Sequence, residues 1–193
     1  MPFDRPLRWR ADLDTATHAS GFAEDEAGHW NLKRLATAPG SVLDSTLQVA
    51  GVSSPWLYLG GLFAAFCWHT EDLWMYSCNH LHAGADKVWY CVPAKAATRF
   101  EKATRALLPS LFSDQPDLLY QLVAMVAPAD LSAQGVPVYR LTQRAGEFVI
   151  TFPRAYHAGF SHGFNVRPRP RPRAWRHPRR GVRRLPCTAA SLA

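Results

Sequence analysis

No stretch of the 193 residues approaches the ~20 uninterrupted apolar positions that a membrane-crossing helix requires. The opening Met-Pro-Phe-Asp-Arg-Pro lacks the basic-then-apolar order of a signal peptide, so an intracellular protein without membrane contact is expected. Cysteine is scarce. Cys67, Cys78, Cys91 and Cys187 form no CxxC pair, which argues against a zinc knuckle or a redox motif and leaves buried free thiols as the expectation. Acidic residues are absent from residues 166–193, which hold nine arginines. That absence explains the net charge of +7: of 22 Lys and Arg, 13 remain outside the segment against 15 acidic side chains, a balance of −2. The basicity belongs to the tail, not to the folded part.

What is present is a well-filled apolar pattern, 48% of the chain, enough for one globular domain. Pro55-Trp56-Leu57-Tyr58-Leu59 reads as a strand closed by Gly60-Gly61, and Lys87-Val88-Trp89-Tyr90-Cys91-Val92 as another. Residues 94–108 place Phe100, Ala103, Leu107 and Leu108 at helical spacing behind Pro93. A second helix is expected from Pro116 to Met125, stopped by Pro128. Strands resume at residues 136–141 and 146–152. Strands, a helical insertion and further strands indicate a mainly β barrel or folded double sheet, not a βαβ series. From Val166 the run Arg-Pro-Arg-Pro-Arg-Pro-Arg excludes a helix or a central strand, so an extended or disordered tail is expected.

His69-Thr70-Glu71 puts an imidazole and a carboxylate at i and i+2, on one face of an extended strand. With 8 His and 15 acidic residues in the chain, one such pair by chance is unsurprising. His157, after the strand at 148–152 and its Pro153 turn, supplies the candidate third ligand. Two His and one carboxylate leave metal positions open for substrate and oxygen, although the same donors also serve catalytic zinc. Lys87, alternating with Trp89, offers a cation for an acidic co-substrate. Ser77 and Asn79 offer a hydroxyl and an amide two residues apart, and Phe66 a flat apolar face. Each alone reads more simply as a surface lysine, a capped loop or a core aromatic. The nearby His80 and His82 read as packing groups or a substrate-facing edge rather than extra ligands.

The segments from Pro55 through Phe66-Cys67-Trp68-His69-Thr70-Glu71-Asp72, Tyr76-Ser77-Cys78-Asn79, Lys87-Val88-Trp89-Tyr90, Gln115-Pro116-Asp117-Leu118-Leu119, Val136-Pro137-Val138-Tyr139-Arg140 and Ala145 to His157 resemble Jumonji C (JmjC) histone lysine demethylases. The branch acting on lysine 4 of histone H3 is the most similar. The resemblance implies a double-stranded β-helix, a jelly-roll or cupin-like core. It implies His69, Glu71 and His157 as Fe(II) ligands, and Phe66, Ser77, Asn79, Lys87 and Ser161 around 2-oxoglutarate. Tyr58 and Trp89 would line the substrate pocket. The implied reaction is a 2-oxoglutarate-dependent hydroxylation of an N-methyl group, with formaldehyde release. The implied partners are the methylated histone H3 tail and chromatin, and the implied location is the nucleus.

On this reading, residues 1–48 are an N-terminal extension, 49–165 the catalytic core and 166–193 the Arg/Pro-rich tail. The chain departs from the family pattern in three places. Ser161 stands where an asparagine is usual, and Trp9-Arg10 where a Tyr-Gly pair is usual. After Asn165 the apolar closing strand gives way to Arg-Pro repeats, as an alternative exon or shifted reading frame would produce. The last barrel strand would then be missing and a sheet edge exposed, with the chain cut short at both ends relative to the family. The alternative function is an inactive chromatin-binding protein. The tail's arginines also offer a weak, salt-dependent nucleic-acid contact.

Overall fold

A computed structural model describes residues 10–14, 32, 52, 54–121 and 123–169. The expected segments around residues 29–31 and 42–43, Trp9, Cys187 and the tail beyond residue 169 lie outside the described residues. Among the described residues, ten strands flank a helical insertion: β1 (Arg10–Asp14), β2 (Trp56–Gly60), β3 (Ala65–His69), β4 (Ser77–His80), β5 (Ala83–Gly84), β6 (Lys87–Val92), helices α1 (Ala97–Leu107), α2 (Pro109–Asp114) and α3 (Pro128–Ala133), then β7 (Tyr139–Gln143), β8 (Phe148–Thr151), β9 (Tyr156–Ser161) and β10 (Asn165–Arg169). Every strand pairing among the described residues is antiparallel. The strands form sheets ordered β1-β2-β10-β5 and β3-β9-β6-β7, with β4-β8 as a separate pair. The mainly β architecture with a helical insertion stands as read from the sequence.

The helical insertion differs in detail. Among the described residues no helix runs from Pro116 to Met125; a 3-10 turn, Leu118–Tyr120, forms there instead. Prolines open helices instead of stopping them: Pro109 and Pro128 occupy the first turns of α2 and α3, where a missing N–H costs nothing. The strand expected at 136–141 is displaced to 139–143, past Pro137.

The larger correction concerns the segment expected to lack a strand. Asn165 to Arg169 pair along the whole of β2, from Asn165↔Gly60 to Arg169↔Trp56, and Asn165 and Val166 also pair with β5. The closing strand is therefore present through Arg169, despite Pro168. Beyond Val166 the strand has a partner on one side only among the described residues, and an edge tolerates proline. β1, inside the stretch read as an extension, pairs with the other side of β2.

The core fills the space between one face of the β3-β9-β6-β7 sheet and the helices. Trp68, Val92, Tyr156 and Ala158 from the strands meet Phe100, Phe112, Leu119 and Leu131. Phe100 stacks on Tyr156 at 4.2 Å and lies 5.2 Å from Trp68, whose indole N–H donates to the Val126 carbonyl at 2.9 Å. Burying one such aromatic is worth about 1.5–3 kcal/mol. This packing fixes the outer face of the sheet and leaves its inner face for other chemistry. Among the free thiols, Cys78 is buried, whereas Cys67 and Cys91 are half-buried, less hidden than expected.

Candidate metal centre

Strand alternation sends Tyr156 and Ala158 of β9 into the helical core, so His157, Gly159 and Ser161 point the other way. On β6 the same rule turns Val92 and Tyr90 outward and Lys87 and Trp89 inward. β3 would break this pattern without its irregular register. Phe66 opposes Gly159 and His69 opposes His157, so three steps on β3 match two on β9. This bulge turns Trp68 toward Phe100 while Phe66 and His69, three residues apart, share the inner face with ring centroids 6.1 Å apart.

The bulge sets His69 directly across from His157, with imidazole centroids 4.2 Å apart. Glu71 follows in extended backbone just before the 3-10 turn Asp72–Trp74, so its carboxylate keeps the i, i+2 relation to His69. His157 Nε2 lies 3.4 Å from Glu71 Oε1, and one donor atom from each of His69, Glu71 and His157 falls within 4.8 Å of the others. All three residues are buried.

Both histidines are held through their other nitrogen. His69 Nδ1 meets the Cys67 carbonyl at 2.8 Å and His157 Nδ1 the Ala155 carbonyl at 3.0 Å. A carbonyl can only accept, so each Nδ1 carries a proton, and in the neutral ring Nε2 is then the atom that offers a lone pair. This is the arrangement by which metal-ligating histidines are oriented. Ligand atoms about 2.0–2.2 Å from one ion lie roughly 3 Å from each other, so one divalent cation fits this cluster with small adjustment.

Beside the cluster lies a cationic chamber. Lys87 is fully buried, with Nζ 4.2 Å above the Phe66 ring and 4.9 Å from the Trp89 ring. Phe66 is 4.8 Å from Trp89 and 6.3 Å from the His157 ring, so the same aromatic touches both the lysine and the metal cluster. Gly159 makes this possible. A Cβ there would stand 2.6 Å from the Phe66 ring and collide with the Val88 carbonyl. Ser161 lies across the ladder from Lys87 and is fully buried, its hydroxyl without a hydrogen-bond partner among the described residues.

Ser77, Asn79 and Tyr58 are placed on other sheets from the metal cluster. Ser77 and Asn79 are buried on β4, where the Ser77 hydroxyl shares a 2.5 Å hydrogen bond with Thr151. Tyr58, on β2, is half-buried with its ring 6.3 Å from Trp56. His80 stacks on Phe148 at 4.3 Å, the packing role expected for it.

Gln143 was missed in the sequence. It is 1% exposed, accepts from the Trp89 indole N–H at 2.9 Å and donates to the Asn79 and Glu147 carbonyls at 3.0 and 2.9 Å. It fixes Trp89 and ties β7 to β4, across two sheets. A glutamine in a polar Leu-Thr-Gln-Arg run carries no local sign of burial. Asn165, fully buried, was missed as well: a Cβ on Gly60 would lie 2.5 Å from its Oδ1 and 2.9 Å from Ser161 Oγ, so these groups pack closely around a residue that must be glycine.

Comparison with known proteins gives this geometry a context. Residues 56–169 match a family model described as "JmjC domain, hydroxylase". The chain is 48% identical over 169 residues to a putative lysine-specific demethylase, JMJ16, of Arabidopsis thaliana, covering 80% of the chain. It is 50% identical over 168 residues to lysine-specific demethylase JMJ703 of Oryza sativa subsp. japonica, again over 80% of the chain. It is 54% identical over 176 residues to lysine-specific demethylase 5B of Gallus gallus, over 84% of the chain. The matched region spans only 12–14% of the length of these relatives.

Proposed function

The chain belongs to the JmjC-domain hydroxylase family, and from that premise we propose that it is an Fe(II)- and 2-oxoglutarate-dependent dioxygenase that removes methyl groups from histone lysine, with lysine 4 of histone H3 as the favoured position. One observation carries the metal reading: two imidazoles with lone pairs on Nε2 and one carboxylate converge within 4.8 Å, all buried. A three-residue donor set leaves positions open, which suits a chelating ketoacid and dioxygen. The buried Lys87 suits the far carboxylate of a dicarboxylate co-substrate. The names of the relatives support demethylation of lysine. The lysine 4 position rests on the branch resemblance of the motifs. Such a substrate puts the protein on chromatin, in the nucleus.

When bound, iron and 2-oxoglutarate would supply the oxidising chemistry that hydroxylates an N-methyl group, after which formaldehyde is lost. The chain's own part is positional. His69, Glu71 and His157 would hold the ion on one side. Lys87 would anchor the dicarboxylate by charge, with Ser161, Ser77 and Asn79 as further polar contacts and Phe66 as an apolar wall. Trp89, oriented by Gln143, and Tyr58 would border the methyl-lysine. Burial of the ligands excludes water from the reacting centre.

The test is turnover of methylated histone H3 peptides by the purified chain with Fe(II) and 2-oxoglutarate, read as formaldehyde and succinate. His157→Ala is expected to lower the rate at least ~100-fold, through loss of a metal ligand. Peptide binding with no turnover in the parent chain would instead establish the inactive chromatin-binding alternative. For the arginine-rich segment we propose a salt-dependent nucleic-acid contact, expected to vanish when residues 170–193 are deleted.

A further inference from the structure

Two surface segments border the metal cluster, and each is one hydrogen bond from a ligand. The first follows Glu71: the Trp74 N–H donates to the Glu71 carbonyl at 3.0 Å, closing the 3-10 turn on the ligand's own peptide. The second precedes His157: the Ala155 N–H donates to the Phe152 carbonyl at 3.1 Å, and the Ala155 carbonyl holds His157 Nδ1 at 3.0 Å. Leu73, Trp74 and Arg154 all take left-handed backbone, with φ of 51°, 50° and 58°. Such angles are costly for non-glycine residues and persist only where surrounding contacts impose them.

The contacts that join the two segments are visible. The Arg154 guanidinium lies 5.2 Å from the Trp74 ring, and Tyr76 packs against Phe152 at 5.3 Å. Arg154 is anchored from behind by α1: its Nη2 donates to Thr98 Oγ1 at 3.0 Å and stands 3.9 Å from Glu101 Oε1. Glu101 in turn accepts from the Tyr156 hydroxyl at 3.2 Å, next to His157 in the chain. Trp74 is 57% exposed, so its ring is not held by a core.

We propose that Trp74 and Arg154 are positioning residues. Their cation–π contact clamps the Glu71 segment to the His157 turn and sets the separation of the two ligands for a divalent cation. The proposal rests on the metal reading above, and goes beyond it in giving this surface pair a task.

Cobalt(II) alone is the probe, titrated into the full chain and read by visible absorption, which reports both affinity and ligand arrangement. Trp74→Leu and Arg154→Gln should each weaken cobalt binding about five-fold, below the effect of removing a direct ligand partner because the pair acts one bond further out. The double variant should bind no more weakly than Arg154→Gln alone, about five-fold below the parent, since that change already removes the contact with Trp74. Trp74→Tyr, which keeps an aromatic face, should stay within about two-fold of the parent. The absorption of the saturated Trp74→Leu and Arg154→Gln proteins should shift, which a loss of fold stability alone would not cause.

Single variants binding like the parent, effects that multiply in the double variant, or Trp74→Tyr as weak as Trp74→Leu would each overturn the clamp. Should Trp74→Leu fail to fold, Arg154→Lys against Arg154→Gln gives the same comparison, with lysine retaining the cation. A parent chain that takes up no cobalt would remove the metal reading and the clamp together. A parent that binds, with His157→Ala abolishing binding but the clamp variants unchanged, would remove the clamp alone.

Discussion

Gly159 shows how much of the site depends on a missing side chain. It faces Phe66 across the β3–β9 ladder, and the Phe66 ring occupies the space that a Cβ would need. Gly159→Ala must displace both that ring and the β6 backbone at Val88, at a cost of about 3 kcal/mol, measurable as a lower denaturant midpoint. A midpoint equal to the parent's would mean that Phe66 is not seated as described. His80 gives a prediction in pH. Burial first, and the neighbouring His82 second, lower its pKa below the ordinary 6.5, against a smaller opposing effect of a backbone hydrogen bond. The unfolded chain takes up this proton near pH 6.5 and the folded chain only at lower pH. Stability is therefore retained above 6.5 and falls as the pH drops through that window. Melting temperatures from pH 7.5 to 5 should decline, and His80→Gln should flatten the decline.

At the scale of elements, β10 decides whether the β2 sheet is complete. It inserts between β2 and β5, its Asn165 is fully buried, and the His82 N–H donates to the Val166 carbonyl at 2.9 Å. Without β10, a row of backbone groups on β2 and β5 would lose partners and present an open edge. A chain ended after Phe164 should melt well below one ended after Arg169; equal melting would show that the strand pairing contributes nothing. The sequence reading failed here for a definite reason. Proline and arginine are poor strand formers by local measure, whereas β2 supplies a five-residue ladder from more than 100 positions earlier in the chain. Tertiary pairing outweighed local preference. The helical insertion shows the same limit: Pro128 could stop one helix or open the next, and only packing of Leu131 into the core selects the second.

For the whole molecule, the two halves of the metal cluster come from β3 with its following turn and from β9, far apart in sequence and joined across one ladder. A cation bound there links the first and last parts of the domain and binds only the folded state. Cobalt(II) at 100 times its dissociation constant should raise stability by about 2.7 kcal/mol, seen as a higher melting temperature, and His157→Ala should abolish the rise. Gln143 ties the sheets together in the same sense, holding Trp89 with one end and the β4 and β8 sides with the other.

The sequence alone determined the types of group at the centre and part of their arrangement. Alternation along an extended strand puts His69 with Glu71, and Lys87 with Trp89, wherever those strands lie, because that period is a property of the backbone itself. Tertiary structure alone decided which strand lies opposite which. The β3 bulge that turns Phe66 and His69 to one face, the pairing of His69 with His157, and the acceptance of Asn165 to Arg169 as a closing strand are all matters of register between distant segments. No local periodicity encodes register, since it is fixed by the side chains and backbone groups that the partner strand presents.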